Sequence, residues 1–364
     1  MNAPRQTLVV LFGGQSAEHD VSRVTASHVI RAADPSRYDV VAVGIDRDGT
    51  WRASPAHEWR GNSPRDTGGS LAVTGDAVEP SAVLRRHSGA VIVPLLHGPL
   101  GEDGTVQGML ELLGLPYVGS GVLASAVAMD KGVAKRLFAE AGLPQAGSVT
   151  MHYDECSPRN LLMLWNDSAT DLFVKPANMG SSVGVSRASS PEELAAAVDA
   201  AARYDNWIVI EEAVHGREIE VAVLGNREPR ASLPGEITPS KDFYDYEDKY
   251  VDDAATLTVP ARLTAEQTEE VRRLAVRAYR ALRCEGMARV DFFLEEDGRG
   301  FLINEINTIP GFTPISMYPK MWEASGLAYP ALIDELVRLA LERHSARRRT
   351  TDRWEVVSRS PRGC

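Results

Sequence analysis

The sequence has few of the features that would mark a secreted, zinc-binding or membrane protein. Its 364 residues include only three cysteines, Cys156, Cys284 and Cys364, which are far apart and never form a C-x-x-C pair. This scarcity argues against a disulfide framework and against a cysteine zinc site. No apolar run approaches membrane-spanning length, and the apolar residues 8–12 are too few for the core of a signal peptide. We therefore expect a soluble, cytoplasmic protein.

Positive charge is also in short supply. The chain has 39 lysines and arginines against 50 aspartates and glutamates, so its formal net charge at pH 7 is −11. Nucleic acids are bound by basic surfaces, and we expect no nucleic-acid partner. A ligand that contains phosphate would need lysines or a metal ion gathered locally against this overall charge.

The pattern that is present is typical of an α/β protein. Hydrophobic residues make up 44% of the chain, and its length suits two or three domains of roughly 100–150 residues each. Predicted strands at residues 7–12, 38–45 and 90–96 alternate with glycine-rich turns and helical segments. This alternation predicts a parallel sheet covered by helices. Two smaller α+β units are predicted to follow it.

Two apolar runs near the end of the chain carry polar residues at alternate positions. In ARVDFFL, Arg289 and Asp291 share one strand face, and in FLINEIN, Glu305 and Asn307 share one face. A hairpin between the runs would gather oxygen ligands, which select hard cations such as Mg²⁺ or Mn²⁺. Two ions could then share Glu305. The alternative is the exposed polar face of an amphipathic hairpin, and this motif alone leaves both interpretations open.

A glycine- and serine-rich loop follows another predicted strand. In VKPANMGSSVGV, residues 174–185, Lys175 leaves the strand and could place its ammonium group on phosphate oxygens while backbone N–H groups cradle them. The loop lacks the G-x-x-x-x-G-K-[ST] pattern of a Walker loop. An ordinary hairpin tip is the alternative interpretation.

Two N-terminal loops, GGQSAEHDVS and HGPLGEDGT, each follow a predicted strand. They lie where open α/β sheets bind ligands, at the carboxyl edge. Glu18 offers a carboxylate for a substrate ammonium group, and His97 and Glu102 lie in the companion loop. The alternative is helix capping, with Asp20 and Thr105 as N-cap residues. No G-x-G-x-x-G motif is present, so the glycines do not indicate a dinucleotide site.

Taken in order, these segments resemble the D-alanine–D-alanine ligases of the ATP-grasp superfamily. The resemblance rests on six motifs: GGQSAEHDVS, HGPLGEDGTVQGMLELLGLPYVGSGVLASAVAMDK, VKPANMGSSVGVS, EEAVHGREIEVAVLG, DFYDYEDKY and ARVDFFLEEDGRGFLINEINTIPGFTPISMYPKMW. It implies a three-domain ATP-grasp architecture. An N-terminal Rossmann-like domain (1–120) would precede a central domain (121–213) and a C-terminal domain (214–345), which enclose ATP. A tail (346–364) is expected to be disordered.

The resemblance also implies an activity. The enzyme would join two D-alanines to D-alanyl-D-alanine through an acyl phosphate, releasing ADP and phosphate, for peptidoglycan precursor synthesis. It would use ATP with two Mg²⁺ or Mn²⁺ ions and act as a homodimer.

The same resemblance implies roles for residues at matching positions. The nucleotide would be bound by Lys131, Lys175, Ser181, Ser182, Glu211, Glu212, Val214 and Glu218. The metal ions would be bound by Asp291, Glu305 and Asn307. The catalytic residues would be Glu18, Ser181, Tyr250, Arg289 and Gly311. The D-alanines would contact Glu18, His97, Lys249, Arg289 and Ser316.

Specificity for the second substrate is expected to depend on the segment DFYDYEDKY, residues 242–250. Family members that make D-alanyl-D-lactate typically carry a histidine near this place. The KY pair here, Lys249 and Tyr250, resembles the dipeptide-forming members, so we expect D-alanine as the acceptor. D-serine is harder to reject, because one added hydroxyl gives little discrimination.

Three other classes are compatible with parts of the pattern. A different carboxylate–amine ligase would share the ATP apparatus and differ in its substrate loops. A regulatory nucleotide-binding protein is opposed by the presence of Arg289 together with the full ligand set. An NAD-dependent dehydrogenase is opposed by the missing glycine fingerprint.

Overall fold

The computed structural model describes residues 4–53, 69–168, 170–238, 256–313 and 316–358, with side chains up to residue 347. The strands of these residues form three sheets with five, four and six members. Helices pack against all three, which confirms the expected α/β class.

The first sheet is the predicted N-terminal one, with the order β4-β3-β2-β1-β5. Its strands are β1 (Gln6–Gly13), β2 (Tyr38–Ile45), β3 (Trp51–Ala53), β4 (Asp76–Ala77) and β5 (Val91–Pro94). Strand β1 runs parallel to both β2 and β5, whereas β3 and β4 are antiparallel additions. The helices of this part are His19–Ala32, Pro80–Arg86 and Thr105–Leu112.

Strand β1 is apolar on both faces because both faces are covered. Leu8 and Val10 belong to a core that includes Val29 of the first helix. Val9 belongs to a separate core that includes Leu84 of the second helix. The loops that follow β1 and β5 therefore leave a rigid strand edge, which positions the residues of the two N-terminal motifs.

The second sheet is antiparallel, with the order β6-β9-β7-β8. Its strands are β6 (Ser148–His152), β7 (Leu172–Pro176), β8 (Ser186–Ala188) and β9 (Trp207–Glu212). The short 3₁₀ turn Tyr153–Glu155 follows β6. The helices Pro158–Asp167 and Pro191–Ala201 pack on one face of the sheet. Each begins with proline after a serine whose hydroxyl accepts a backbone N–H, a favourable start for a helix.

The third sheet carries the predicted hairpin at its edge, in the order β13-β12-β10-β14-β15, with β11 paired to β10. Its strands are β10 (Arg217–Leu224), β11 (Arg230–Ala231), β12 (Gly235–Thr238), β13 (Thr256–Thr258), β14 (Met287–Glu295) and β15 (Gly300–Asn307). The helix Ala265–Ala281 packs against it with an apolar face that includes Val271, Leu274 and Ala278, and it begins with a Thr264–Gln267 capping box.

Four further helices connect or cover these sheets: Val122–Met129, Lys131–Glu140, Met317–Ala324 and Tyr329–Ser358. Asp130 caps the second of them through the backbone N–H of Val133, as its sequence predicts. The last helix continues to Ser358 and so differs from the disorder expected for residues 346–364. Within the described ranges, no helix combines the length and the apolar character needed to cross a membrane.

Two predicted N-caps are wrong. The first helix begins at His19, one residue before Asp20, and Glu18 holds the N-cap position. The helix Thr105–Leu112 has Gly104 at its N-cap position, with a left-handed φ of 95°. The capping interpretation therefore fails for Asp20 and Thr105.

Arg343 joins the last helix to two other parts of the chain. Its side chain is buried and donates to the backbone oxygens of Tyr117, at 2.8 Å, and Gly119. The guanidinium also lies 4.1 Å from the centre of the Tyr117 ring and 3.9 Å from a carboxylate oxygen of Glu285, just before β14. One cation thus connects the last helix, the segment that follows the first sheet and the turn that precedes the hairpin of β14 and β15.

We expect Arg343→Met to lower the free energy of unfolding by about 2–4 kcal/mol, because it leaves the buried carbonyl oxygens of Tyr117 and Gly119 without their donor and removes one of the two arginines beside Glu285. Urea unfolding would measure this loss. The matched control is Arg338→Met on the same helix, whose exposed pairs with Glu335 and Glu342 should contribute less than about 1 kcal/mol. Equal effects of the two substitutions would contradict a connecting role for Arg343.

Candidate active site

A cavity of about 580 Å³ opens between the second and third sheets. Its volume is in the range typical of small-molecule sites. Eleven of the predicted site residues line it: Lys131, Lys175, Ser181, Ser182, Glu211, Glu212, Val214, Glu218, Arg289, Asp291 and Glu305. Four different segments of the chain supply them, and the fold brings these segments to one place.

Two lysines enter the cavity from different elements. Lys131 is the first residue of the helix Lys131–Glu140. Its ammonium group donates to the backbone oxygen of Met179 at 2.5 Å and lies 3.5 Å from a carboxylate oxygen of Glu305. Lys175, next to the end of β7, lies 2.9 Å from Glu211 Oε2. The two cations and the loop between β7 and β8 border the same space, a suitable arrangement for an anionic ligand.

The pair of Lys175 and Glu211 is charged although it is buried. Burial opposes the charge on Glu211, but Lys175 and Lys135 outweigh it and lower the pKa of the Glu211 carboxyl. Burial likewise opposes the charge on Lys175, and Glu211 outweighs it and raises the pKa of the Lys175 ammonium. The mutual attraction thus keeps a positive side chain in the cavity.

The predicted hairpin is confirmed. Strands β14 and β15 are antiparallel, with Asp291 opposite Glu305 and Arg289 opposite Asn307. The four side chains therefore form two neighbouring cross-strand pairs on one face of the hairpin. The interpretation of these positions as an exposed amphipathic face is wrong for Arg289, Asp291 and Glu305, because they line the cavity.

The hairpin departs from simple alternation at one residue. The register shifts after Asp291, so that Phe292 pairs with Ile303 and Asn304 has no partner in the ladder. Such a bulge lets two consecutive side chains face the same side. Asn304 and Glu305 both line the cavity, and Asn304 Oδ1 lies 3.3 Å from the Lys175 ammonium. Strict alternation would place Asn304 on the face opposite Glu305, and the bulge instead brings both to the cavity.

Arg289 is held by two carboxylates. Its Nε and Nη2 each donate to Asp291 at 2.7 Å, a bidentate contact, and its Nε lies 3.1 Å from Glu220 Oε1 on the neighbouring strand β10. Burial disfavours the charge, but Asp291 and Glu220 more than compensate and raise the pKa of the guanidinium. The planar group is thereby fixed in position, and Asn307 also donates to Asp291 at 2.9 Å.

The donor chemistry of this hairpin fits a magnesium ion that is shared with phosphate. Asp291 and Glu305 offer carboxylate oxygens and Asn307 offers an amide oxygen, and all three residues lie on the facing strands of the hairpin. Among the residues described, no group of three or more His, Cys, Asp or Glu has metal-binding spacing. Magnesium commonly takes one or two carboxylates together with substrate phosphates, so an incomplete protein cage suits it.

The glycine- and serine-rich loop reaches the first N-terminal loop. Ser181 donates a hydrogen bond to Glu18, which is buried at the start of the first helix. Ser181 and Ser182 both have left-handed φ angles, of 51° and 59°. Non-glycine residues in this region carry local strain, which is common in ligand-binding loops.

His97 and Glu102 are both buried in the second N-terminal loop. His97 Nδ1 donates to the backbone oxygen of Ile309 at 3.1 Å, since a carbonyl can only accept, and its Nε2 lies 3.3 Å from the Thr25 hydroxyl. Burial lowers the pKa of His97 even though Glu18 opposes the shift. Glu102 accepts the backbone N–H of Gly98 at 2.7 Å. Burial, with help from Glu18, raises the pKa of Glu102 to about 8.

The remaining predicted residues lie at the far end of the hairpin or outside the described ranges. Gly311 follows β15, and a Cβ atom there would come within 2.8 Å of the Ser316 hydroxyl, so a side chain would not fit. That hydroxyl accepts the backbone N–H of Thr313 at 3.0 Å. Lys249 and Tyr250 lie outside the residues that the structure describes.

Three residues of the site are not predicted from the sequence: Lys135, Glu220 and Asn304. Lys135 follows Lys131 by four residues, which places both on one helix face, and Glu220 follows Glu218 by two on one strand. Both spacings can be read from the sequence and indicate that each residue shares a face with a predicted site residue. The position of Asn304 depends on the bulge, for which the sequence offers no clear sign.

Comparisons with known proteins agree with the geometry. A family model described as the D-ala D-ala ligase N-terminus matches residues 7–120, and one described as the D-ala D-ala ligase C-terminus matches residues 137–338. A D-alanine–D-alanine ligase from Solibacter usitatus is 48% identical over 93% of this chain and 96% of its own length. D-alanine–D-alanine ligase A from Escherichia coli K12 is 47% identical with the same coverage.

Solved structures show the same similarity. The D-alanine–D-alanine ligase from Coxiella burnetii has a TM-score of 0.82 and 39% identity, covering 98% of this chain and all of its own. The VanG D-Ala:D-Ser ligase from Enterococcus faecalis has a TM-score of 0.77 and 33% identity, covering 93% of this chain and all of its own.

The raised pKa of Glu102 predicts a pH-dependent stability. Between its ordinary pKa of 4.5 and about 8, this carboxyl is protonated in the folded chain and ionised in the unfolded chain. Folding therefore binds a proton, so this group makes the fold less stable as the pH rises through that window. We expect the melting temperature of Glu102→Gln to rise relative to the wild type from pH 5 to pH 8.

Thermal unfolding at fixed ionic strength would measure this difference. The control is Glu140→Gln, which makes the same change at an exposed residue that ends the helix Lys131–Glu140. A difference between Glu102→Gln and the wild type that stays constant over the whole range would contradict the assignment.

Proposed function

The chain belongs to the D-alanine–D-alanine ligase family, and from this premise we propose how its residues carry out the reaction. It is an ATP-dependent ligase of the three-domain ATP-grasp architecture that joins two D-alanines to D-alanyl-D-alanine for peptidoglycan synthesis. One observation supports the proposed assignment of residues above all others. Eleven of the residues to which the family resemblance gives a role line a single cavity that is large enough for a small-molecule ligand.

In our proposal ATP occupies this cavity. Its phosphates contact Lys131 and Lys175, and the loop with Ser181 and Ser182 covers them. Adenine lies against Glu211 and the backbone of Glu212 and Val214, with Glu218 at the ribose. The side chain of Glu212 is engaged elsewhere, with Gly147 and Arg299, which is consistent with a role for its backbone alone.

The domain division 1–120, 121–213 and 214–345 is part of the same proposal. Each of the three sheets lies within one of these ranges. The nucleotide would then bind between the second and third domains.

The first D-alanine is proposed to bind where the loops of the first sheet meet the loop after β7. Glu18 would accept its ammonium group, and His97 would lie beside it. The contact of Ser181 with Glu18 supports this placement, because it puts the ammonium subsite next to the phosphate loop.

The reaction follows from elementary chemistry. A carboxylate is a poor acyl donor, so one of its oxygens attacks the γ-phosphorus of ATP and ADP leaves. The amine nitrogen of the second D-alanine then attacks the carbonyl carbon of this acyl phosphate. The bond from carbon to the phosphate oxygen breaks, and phosphate departs. Such a sequence needs a fixed donor for the tetrahedral oxyanion.

Arg289 and the backbone N–H of Gly311 are proposed to stabilise that oxyanion. Arg289 suits this role because its contacts with Asp291 and Glu220 fix the position of its guanidinium. The carboxylate of the second D-alanine would be bound by Ser316 and by Lys249, with Tyr250 in the loop that closes over the site.

Two magnesium or manganese ions are part of the proposal. Asp291, Glu305 and Asn307 would hold them, and they would neutralise charge on the transferring phosphate. Asp291 would exchange part of its contact with Arg289 in the process.

The test is phosphate release and product mass with ATP, Mg²⁺ and D-alanine, then with D-serine or D-lactate added. We expect D-alanyl-D-alanine from D-alanine alone and no depsipeptide near neutral pH. ATP turnover that does not depend on D-alanine would assign the site to another carboxylate or amine.

Two variants in the same assay test the residue roles. Glu305→Gln and Arg289→Lys should keep the circular dichroism of the wild type and lose most turnover, by roughly 100-fold or more. Lysine is preferred to alanine at position 289, because Asp291 and Glu220 need a cation. Near-normal turnover in either variant would remove the role assigned to that residue.

We also infer a cytoplasmic homodimer. The contacting helices Thr105–Leu112 and Val122–Met129 present two very exposed leucines, Leu112 at 89% and Leu123 at 56% exposure. Exposed apolar side chains of this kind are typical of protein interfaces.

Sedimentation equilibrium should give twice the mass of one chain for the wild type, and Leu123→Glu should shift the measured mass toward that of a single chain. Leu162→Glu, at a 48% exposed leucine of another helix, is the control. A wild-type monomer would contradict the inference.

A further inference from the structure

A second buried lysine lies behind the cavity and has no part in the reaction described so far. Lys135 is one helical turn after Lys131, and only 5% of its surface is exposed. Its ammonium lies 3.2 Å from Glu211 Oε1, the oxygen that Lys175 does not contact. Lys135 Nζ and Glu211 Oε1 have no other hydrogen-bond partner among the residues described.

Glu211 is therefore held from both sides. Lys175 approaches one carboxylate oxygen at 2.9 Å and Lys135 the other at 3.2 Å. Burial lowers the pKa of Lys135, although Glu211 opposes the shift. Two ammonium groups therefore flank one carboxylate, and a buried ammonium is costly unless it is paired with a negative charge.

An ionised carboxylate has acceptor positions to spare. Its two oxygens offer about four lone-pair directions, so each can contact one lysine and still accept another hydrogen bond. Glu211 lines the cavity, and its carboxylate cannot turn away while both ends are paired. Held in this way, Glu211 can only accept a hydrogen bond from a ligand, and it repels a ligand oxygen.

We propose that Lys135 is a positioning residue for base recognition, which holds Glu211 so that its carboxylate accepts a hydrogen bond from the exocyclic amino group of a purine. The ligand class is an aminopurine nucleoside triphosphate. A base that carries oxygen at this position is rejected, because two acceptors would then face each other. This inference rests on the proposed function, in which the cavity binds ATP with its base against Glu211.

The test compares ATP with inosine triphosphate, which has the same ribose and phosphates but carries oxygen in place of the amino group. In Lys135→Met we expect the KM for ATP to rise about tenfold and the ratio of kcat/KM for ATP over inosine triphosphate to fall about tenfold, since the released Glu211 can turn or bind a proton. The KM for D-alanine should change less than about twofold, because only the base subsite is altered.

Arg136→Met is the matched control. It removes a neighbouring long cationic side chain on the same helix, but Arg136 is exposed. A purely structural role for Lys135 predicts a lower melting temperature with an unchanged nucleotide ratio, and that result would overturn the inference. If Lys135→Met does not fold, Lys135→Gln retains an N–H donor with a smaller loss of packing and replaces it in the same comparison.

A double substitution tests whether Lys135 acts through Glu211. Glu211→Gln should itself reduce discrimination between the nucleotides, and Lys135→Met should add little to that loss in the double variant, because both act on one contact. Additive losses would overturn the mechanism.

Calorimetry with ATP distinguishes failure of the proposed function from failure of this inference alone. No ATP binding by the wild type would overturn the proposed function, whereas wild-type binding with an unchanged ratio in Lys135→Met would overturn this inference alone.

Discussion

Charge compensation inside one cavity is the constraint on which the rest of the site depends. Arg289 is paired with Asp291 and Glu220, and Lys175 with Glu211. Each of these charges would be costly if it were buried alone, and each removal would leave a partner uncompensated. The cations are therefore kept in the cavity of a chain whose overall charge is negative. A site for an anionic ligand can thus form without any basic surface.

The sequence predicts this arrangement well where it depends on periodicity. The alternation in β14 and β15 places Arg289, Asp291 and Glu305 on one face, and the hairpin has that face toward the cavity. Periodicity fails at Asn304, because a one-residue bulge reverses the direction of the side chains that follow. The N-cap prediction for Thr105 also fails, because Gly104 takes the N-cap position with a left-handed backbone angle. A preference based on residue type does not predict that angle.

Buried charges were harder to predict than exposed ones. Lys135 and Glu220 look like ordinary helix and strand residues, because lysine and glutamate are common on surfaces. Their burial follows from which elements pack beside them, namely the helix Lys131–Glu140 against β9 and strand β10 against β14. That packing is a tertiary fact, and local sequence carries only the weak signal of spacing. The family resemblance assigns roles to residues that would touch ligands, whereas the structure shows which residues contact them.

The division of the site among separate cores has a consequence for its chemistry. Glu18 precedes the helix that follows β1 of the first sheet, Ser181 lies in a loop of the second sheet and Arg289 lies on a strand of the third, so no single core holds all three. The hydrogen bond from Ser181 to Glu18 crosses one of these boundaries through a loop at strained backbone angles. In the proposed function, opening of this loop would release the strain at Ser181 and Ser182 and would allow ligands to enter. Arg289, in contrast, lies on a central strand and is held by three hydrogen-bonding or ionic contacts. In the proposed function, the parts that would admit substrates are thus separate from Arg289, which would have to stay rigid during the reaction, as preorganised stabilisation of charge requires.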